Sequence, residues 1–436
     1  MKPSIGRGRQ PFFLAILVVL ALVASACAGS GGPAPTQASG VGDVPKDTSG
    51  TVRILMENVP DTDIVKSMVA EFNKDYPNIK IDIQTLTYDQ MRDKLVSSFQ
   101  ASDPTYDLIV VDNPWMVDFA RAKFLQPLDA RVKSTSGYDA EDFFPALNRI
   151  DMVDNVRYGV PFYNYGLGDL YNSDDLAQAN RPVPRTLDEL VATSKALKTP
   201  DRAGIAMQPQ RGYKIFEEWG NWLFAAGGSI YDANGKVSLN TPEAKKALDA
   251  YIDTYRTAAP PNSLNWAFDE AFRSVSSGQS ASMISYNWNL PALNDPQGAS
   301  GPLAGKFKLA PIPGGKSVLG SWSWAIPTNS GASDAAWAFA SWITSKPHDV
   351  QRTEKGGAAI RQSTLQNPQV RNGRYGADYY AAVEQILANS APLSQGPGGE
   401  EMIQAVGTEL NEAVAGTKSV DAALAAAQAA AEKIQS

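Results

Sequence analysis

Residues 51–113 read TVRILMENVPDTDIVKSMVAEFNKDYPNIKIDIQTLTYDQMRDKLVSSFQASDPTYDLIVVDN, and the periodicity of this stretch decides the fold class. Thr51–Met56 has strand character. Ile64, Val65, Met68, Val69 and Phe72 then recur at helical spacing and stop at Tyr76-Pro77. Ile79, Ile81 and Ile83 alternate with a period of two, and Met91, Leu95 and Phe99 return to a helical period. Leu108–Val111 is a continuous apolar run between Asp107 and Asp112, the pattern of a strand buried on both faces. Strand, helix, strand, helix, strand predicts an α/β fold with a largely parallel sheet. Ligands of such sheets gather beyond the carboxyl ends of the strands, which makes Glu57, Asn58, Asp112 and Asn113 candidate site residues.

Further along, Tyr158–Asn164 is strand-like, and Thr186-Leu-Asp-Glu189 is a capping box that opens a helix. Thr241-Pro242-Glu243 opens another, with Ala244, Ala247, Leu248, Tyr251, Ile252 and Tyr255 on one face. Between them, Tyr231–Lys236 predicts a hairpin turn on Asn234-Gly235. A calcium loop there would need ligands beyond Asp232 and Asn234 that the segment lacks. A Pro/Gly-rich passage, 294–315, precedes Leu319–Pro327, and the Ala-rich C-terminal stretch is helical.

The N-terminal segment is an address. Lys2, Arg7 and Arg9 precede an apolar run from Phe12 to Val23 and small residues at 24–26, the three regions of a secretory signal. That run is about half the ~20 residues of a spanning helix. Cys27 follows at once, and Ala24-Ser25-Ala26-Cys27 resembles the lipobox of bacterial lipoproteins, with Ala24 where those proteins usually have Leu. Cys27 is therefore the expected acylation point. Residues 28–50 carry no apolar period and read as a flexible tether, which would hold the folded part roughly 25 Å from its anchor. The expected location is the outer face of the cell membrane, reached through lipid alone.

Composition excludes several classes of function. The 39 Lys+Arg against 46 Asp+Glu oppose a phosphate-tracking nucleic-acid binder, and removal of residues 1–26 leaves 36 basic residues against the same 46. One Cys and one His provide neither a disulfide framework nor a Cys/His metal cluster, and no cofactor is expected. His348, in Ser345-Lys-Pro-His-Asp349, has no Gly-x-Ser-x-Gly elbow before it and is expected at the surface. Gly314-Gly-Lys-Ser317 ends like a phosphate loop but lacks its first glycine. Paired carboxylates among Glu57, Asp112, Glu217 and Glu218 keep a glycoside-active enzyme open as an alternative.

The aromatic surplus, nine Trp and sixteen Tyr, fits carbohydrate better. Sugars offer an apolar C–H face and a rim of hydroxyls, so their sites pair an aromatic plane with Asp, Asn, Gln or Arg. Trp115, Trp219, Trp222, Trp288, Trp322 and Trp324 lie near such residues, whereas Trp337 and Trp342 sit in an Ala-rich helix and are assigned to packing.

The chain resembles the sugar-type (family 1) extracellular solute-binding proteins of ABC importers, relatives of maltose-binding protein. The resemblance is carried, in order, by Phe72–Ile81, Tyr106–Asp112 leading to Trp115 and Phe124–Asp129, Tyr158–Phe162 with Tyr171-Asn172, Leu223–Gly228, Phe272–Gly278 with Ser282–Trp288, Ala310–Gly315, and the strand at Trp322. It implies a periplasmic-binding-protein-like fold: two α/β lobes, a multi-segment hinge and a cleft between the lobes. It also implies 51–163 with 317–364 as one lobe and 164–316 with 365–436 as the other. By the same resemblance, Trp288 stacks on ligand, Asp112 accepts hydroxyls, Asn164 lies near the ligand in the segment crossing between lobes, and Arg361 reaches the site. The opening strand ends Met56-Glu57 where many members carry an aromatic. The implied function is a monomeric receptor that delivers a carbohydrate or polyol to an ABC permease. Its rivals are the glycoside-active enzyme and a receptor for peptides or anions, the last favoured if Arg361 pairs with a ligand anion.

Overall fold

The computed structural model describes residues 43–101 and 104–436. The signal, Cys27 and residues 28–42 of the tether lie outside the described residues. Among the described residues, no helix is long and apolar enough to cross a membrane.

The opening stretch folds as its periods require. Strand β1 (Gly50–Glu57), helix α1 (Pro60–Asp75), β2 (Ile79–Leu86), α2 (Tyr88–Phe99), β3 (Leu108–Asp112) and α3 (Asn113–Arg121) follow in order. Strand β1 is parallel to both β2 and β3. All five residues of β3 are buried, as an uninterrupted apolar strand between covered faces must be. The capping box at Thr186 and Glu189 forms, and Thr241 caps its helix through the Ala244 N–H. The Asn234-Gly235 turn forms too, with Gly235 at φ +75° and the Asp232 carboxylate accepting the N–H groups of Asn234 and Lys236.

The sheet is less parallel than the opening stretch alone predicts. Its order is β2, β1, β3, Ser317–Ala325, Val160–Asn172, Ser282–Tyr286, and every pairing along it from β3 onward is antiparallel. The reason is the path of the chain. Val160–Asn172 leaves the first body of structure for the second, and Ser317–Ala325 returns, so the two run in opposite directions side by side.

Two large hydrophobic cores result. One gathers β1–β3, α1 and residues such as Phe162, Trp324 and Phe339; the other gathers Trp219, Trp222, Leu248, Ile284, Met402 and Leu410. Tyr163 belongs to the first core and Leu167 to the second, while Val318 belongs to the second and Leu319 to the first, so both long strands cross between cores. The third crossing is later than expected. Leu365, Val370, Tyr380, Val383 and Leu387 all pack into the first core, and the second resumes at Leu393. The short helices 362–388 thus complete the first lobe, and the change of lobe lies beside Ser390–Ala391, which pairs with Ser317–Val318, not at 364–365.

Candidate functional site

The three crossings bring the carboxyl ends of β1 and β3 against residues of the second core. On the first-core side, Glu57 ends β1 and Asp112 ends β3. Tyr163 donates to Glu57 Oε2 at 2.8 Å, and Tyr88 donates to Asp112 Oδ2 at 3.0 Å. The other Asp112 oxygen accepts the Asn113 N–H at 2.9 Å and so caps α3. Burial raises both carboxyls above the usual range, and for Asp112 the neighbouring Glu57 adds to the rise. Trp322 pairs with Asp112 in the sheet and stacks on Tyr163 at 5.9 Å and 14°. Trp115 packs edge-on to Trp322 at 5.4 Å, and Tyr88 lies 5.4 Å from Trp115.

The second core faces this floor with its own aromatic and charged set. Trp288 stacks on Tyr286 at 5.3 Å and 14°, with Phe268 against both. Glu217 Oε2 accepts from Lys214 Nζ and from the Tyr286 hydroxyl, each at 2.9 Å, and Lys214 also bonds that hydroxyl. Burial works to lower the Lys214 pKa, but Glu217 and Tyr286 outweigh it and hold the ammonium charged. Tyrosines close the gap between the cores: Tyr88 lies 6.3 Å from Tyr213, the Tyr213 and Tyr165 hydroxyls are 3.5 Å apart, and Tyr165 lies 4.6 Å from Tyr286.

Of the residues singled out in the sequence, Glu57, Asp112, Trp115 and Trp322 meet on one side of this junction, and Trp288 stands on the other. Asn113 is buried and donates to the Ser394 carbonyl at 3.1 Å, and Asn58 is exposed beyond β1. Trp219 and Trp222 lie on the inner face of the Tyr213–Ala225 helix, fully buried in the second core. Trp324 sits one pleat deeper than Trp322, beside Val110, against Phe162 and Phe339. These three indoles pack a core instead of lining a cleft.

Asn164 is buried and donates to the Ala359 carbonyl at 2.7 Å, while its chain neighbours Tyr163 and Tyr165 reach Glu57 and Tyr213. The period of two in the crossing strand puts flanking residues on the face opposite Asn164. The side chains that reach the junction are thus one position away on either side, and the Tyr-Asn-Tyr pattern is the signal that marks them.

Arg361 does not reach the site. It is fully buried, donating to the carbonyls of Thr344, Asp139 and Tyr138 at 2.7, 2.7 and 2.8 Å, with its guanidinium 4.1 Å from the centre of the Phe143 ring. Nothing in the segment's own sequence announces partners more than two hundred residues away. His348 is half-buried, stacked on Trp342 at 3.6 Å, and burial lowers its pKa.

Glu218 is absorbed by the second core. Its Oε2 accepts from Tyr251 at 2.5 Å and from the Gln208 N–H at 2.7 Å, and burial raises its pKa to about 8. The unfolded chain would release this proton near pH ~4.3, so between there and pH 8 the folded state holds one proton more. Its contribution is complete at low pH and is lost as pH rises toward 8. Glu218→Gln is therefore expected to shrink the fall in melting temperature between pH 5 and pH 8. An unchanged fall would mean that Glu218 is charged in the folded protein.

The fold and junction define a class: two hydrophobic cores joined by three chain crossings, with aromatic and acidic side chains gathered where they meet. The chain belongs to the bacterial extracellular solute-binding proteins, whose family pattern matches residues 58–349. It is 25% identical over 410 residues to a mannitol-binding protein of Pseudomonas aeruginosa, covering 88% of this chain and 93% of that one. It is also 25% identical over 394 residues to a probable amino-acid ABC transporter periplasmic-binding protein of Sinorhizobium fredii, covering 87% and 88%. Among solved structures, an ABC transporter solute-binding protein of Agrobacterium radiobacter in complex with ribitol matches with TM-score 0.77 and 26% identity, covering 89% of this chain and 99% of that one. The chain is thus an extracytoplasmic protein with a solute-binding role and the two-lobe fold of its relatives.

Proposed function

We propose that this protein is the substrate-binding component of an ABC importer and that its solute is a neutral carbohydrate or polyol. The observation that carries this is the composition of the junction between the cores. Stacked aromatic pairs, Trp322 on Tyr163 and Trp288 on Tyr286, stand with the carboxylates Glu57 and Asp112, so apolar planes and hydroxyl acceptors occur together. The mannitol and ribitol named for two of its relatives are solutes of this chemistry. An α-carboxylate or other anion would need a cation. Lys214 is already held by Glu217 and Tyr286, and Arg361 is buried elsewhere, which weakens the anion-receptor alternative. Binding without hydrolysis fits the same family. Acylation at Cys27 would keep the receptor beside its permease, and Cys27→Ala should release it from membranes.

The test is a thermal-shift and calorimetric series with D-mannitol, ribitol, maltose and a set of amino acids. A ligand at a hundred times its Kd stabilises the folded state by about 2.7 kcal/mol, readily seen as a raised Tm. A shift with at least one sugar or polyol and none with amino acids is expected. Shifts with amino acids alone would overturn the assignment of solute class.

A further inference from the structure

One phenol joins the two cores at this junction. Tyr88 opens α2, and its ring rests on Trp115 and Trp322 of the first core. Its hydroxyl lies 3.0 Å from Asp112 Oδ2 and 3.1 Å from Glu400 Oε2. Asp112 ends a strand of the first core. Glu400 is in the first turn of the Gly399–Ala415 helix, whose Met402, Ile403, Val406 and Leu410 are buried in the second.

A phenol has a single proton to donate, and two carboxylates stand at hydrogen-bonding distance from it. Whichever carboxylate receives the proton, the other faces the lone pairs of the same oxygen. A hydrogen bond to a carboxylate is the stronger kind, so the loser of this competition pulls on any other donor that arrives. A hydroxylated solute brings one. When a solute hydroxyl donates to Asp112, that carboxylate is satisfied, and the Tyr88 proton is free to serve Glu400 across the junction. Ligand capture on one core then strengthens a bond to the other.

The surrounding contacts join the same two surfaces. Arg92, one turn along α2 from Tyr88, pairs with Glu401 at 3.1 Å. The Gly398 N–H donates to Asp118 on α3 at 3.0 Å, and Asn113 donates to the Ser394 carbonyl. Gly399 sits so close to α3 that an added Cβ would come within 2.5 Å of the Pro114 carbonyl oxygen. The start of the Gly399–Ala415 helix is therefore held against α2 and α3 on several sides, and a change in a single bond there acts on closely fitted surfaces.

We propose that Tyr88 is a positioning residue that couples solute capture at Asp112 to closure of the second lobe, with Glu400 as its partner across the cleft. The coupling rests on the assignment of a hydroxylated solute to this junction. It is tested with the mature protein and three variants, Tyr88→Phe, Glu400→Gln and the double variant, using whichever of D-mannitol, ribitol and maltose binds the wild type most tightly. Calorimetry gives Kd, small-angle scattering gives the solute-induced change in radius of gyration, and thermal unfolding checks the fold.

Each single variant should weaken binding about tenfold and reduce the solute-induced compaction, and the double variant should be no weaker than the poorer single one, because Tyr88→Phe removes the very bond that Glu400→Gln strips of its charge. Losses that multiply in the double variant, or a Glu400→Gln protein with wild-type Kd and compaction, would overturn the coupling while leaving the solute class intact. Glu400 is only half-buried, so Glu400→Gln decides the matter even if Tyr88→Phe folds poorly. If the wild type binds none of the three solutes, the solute assignment falls and the coupling falls with it.

Discussion

Arg361→Met is expected to cost about 3–5 kcal/mol of stability and to leave the affinity for solute within twofold or threefold of wild type. The side chain has no exposed surface, and its guanidinium is the donor to three backbone carbonyls, of Thr344, Asp139 and Tyr138. It also stands 3.5 Å from the Asp142 carboxylate and packs over the Phe143 ring. Methionine fills much of the volume but donates nothing, so three carbonyls lose their partner, those of Thr344 and Tyr138 in buried surroundings and that of Asp139 in partly buried ones. Each stranded polar group costs on the order of 1–3 kcal/mol, and Asp142 loses part of its compensation as well. Urea denaturation would show a lower midpoint with an unchanged slope. A folded, stable variant with strongly weakened binding would mean the opposite, that Arg361 reaches the solute.

The contrast between β1–β3 and Arg361 marks how far the sequence could be read. Periodicity is a local property, and it identified β1–β3, α1 and α2 because each element buries a face whose residues repeat within one segment. Capping and turn chemistry is equally local, hence the agreement at Thr186, Thr241 and Asn234-Gly235. The antiparallel return of Ser317–Ala325 depends instead on where the chain has travelled in between. So does the membership of residues 365–388 in the first core, since their apolar faces would suit either lobe.

A residue at the end of a buried strand is marked by the strand itself, and the placing of Glu57 and Asp112 beyond β1 and β3 was legible for that reason. Tyr88, Tyr213 and Glu400 come together only through the docking of α2 against helices of the second core, and no short-range pattern ties them. Tryptophan is ambiguous by nature, because its size suits a core as well as a sugar face. Position in the fold distinguishes them, as Trp322, beside Tyr163 and Tyr88 at the junction, and Trp324, deep in the first core, show two residues apart on one strand.

Trp288→Ala is expected to weaken solute binding by about 30-fold with little loss of stability. Trp288 and Trp266 are the two of the nine tryptophans that remain partly exposed, and Trp288 is the one beside the crossing strands. Tyr286 covers one face of its indole at 5.3 Å and 14°, and the flanking Phe268 holds its tilt. A ring fixed in this way keeps its plane without further loss of side-chain freedom when solute arrives. Removing a stacked contact of roughly 80 Å² at ~25 cal/mol per Å² forfeits about 2 kcal/mol, which is the 30-fold. Trp288→Phe should keep much of the affinity, because a smaller plane remains over Tyr286. Trp266→Ala provides the control, since Trp266 packs on the separate small cluster around Leu170, Met283 and Phe307 and should leave Kd within about threefold of wild type. Trp322 is a poorer probe of the same idea: at 2% exposure its truncation opens a cavity in the first core, so lost binding and lost packing would be read together. If Trp288→Ala binds as tightly as wild type, the stacking platform is not on the second lobe, and solute contacts must be sought on the Trp322–Tyr163 pair of the first.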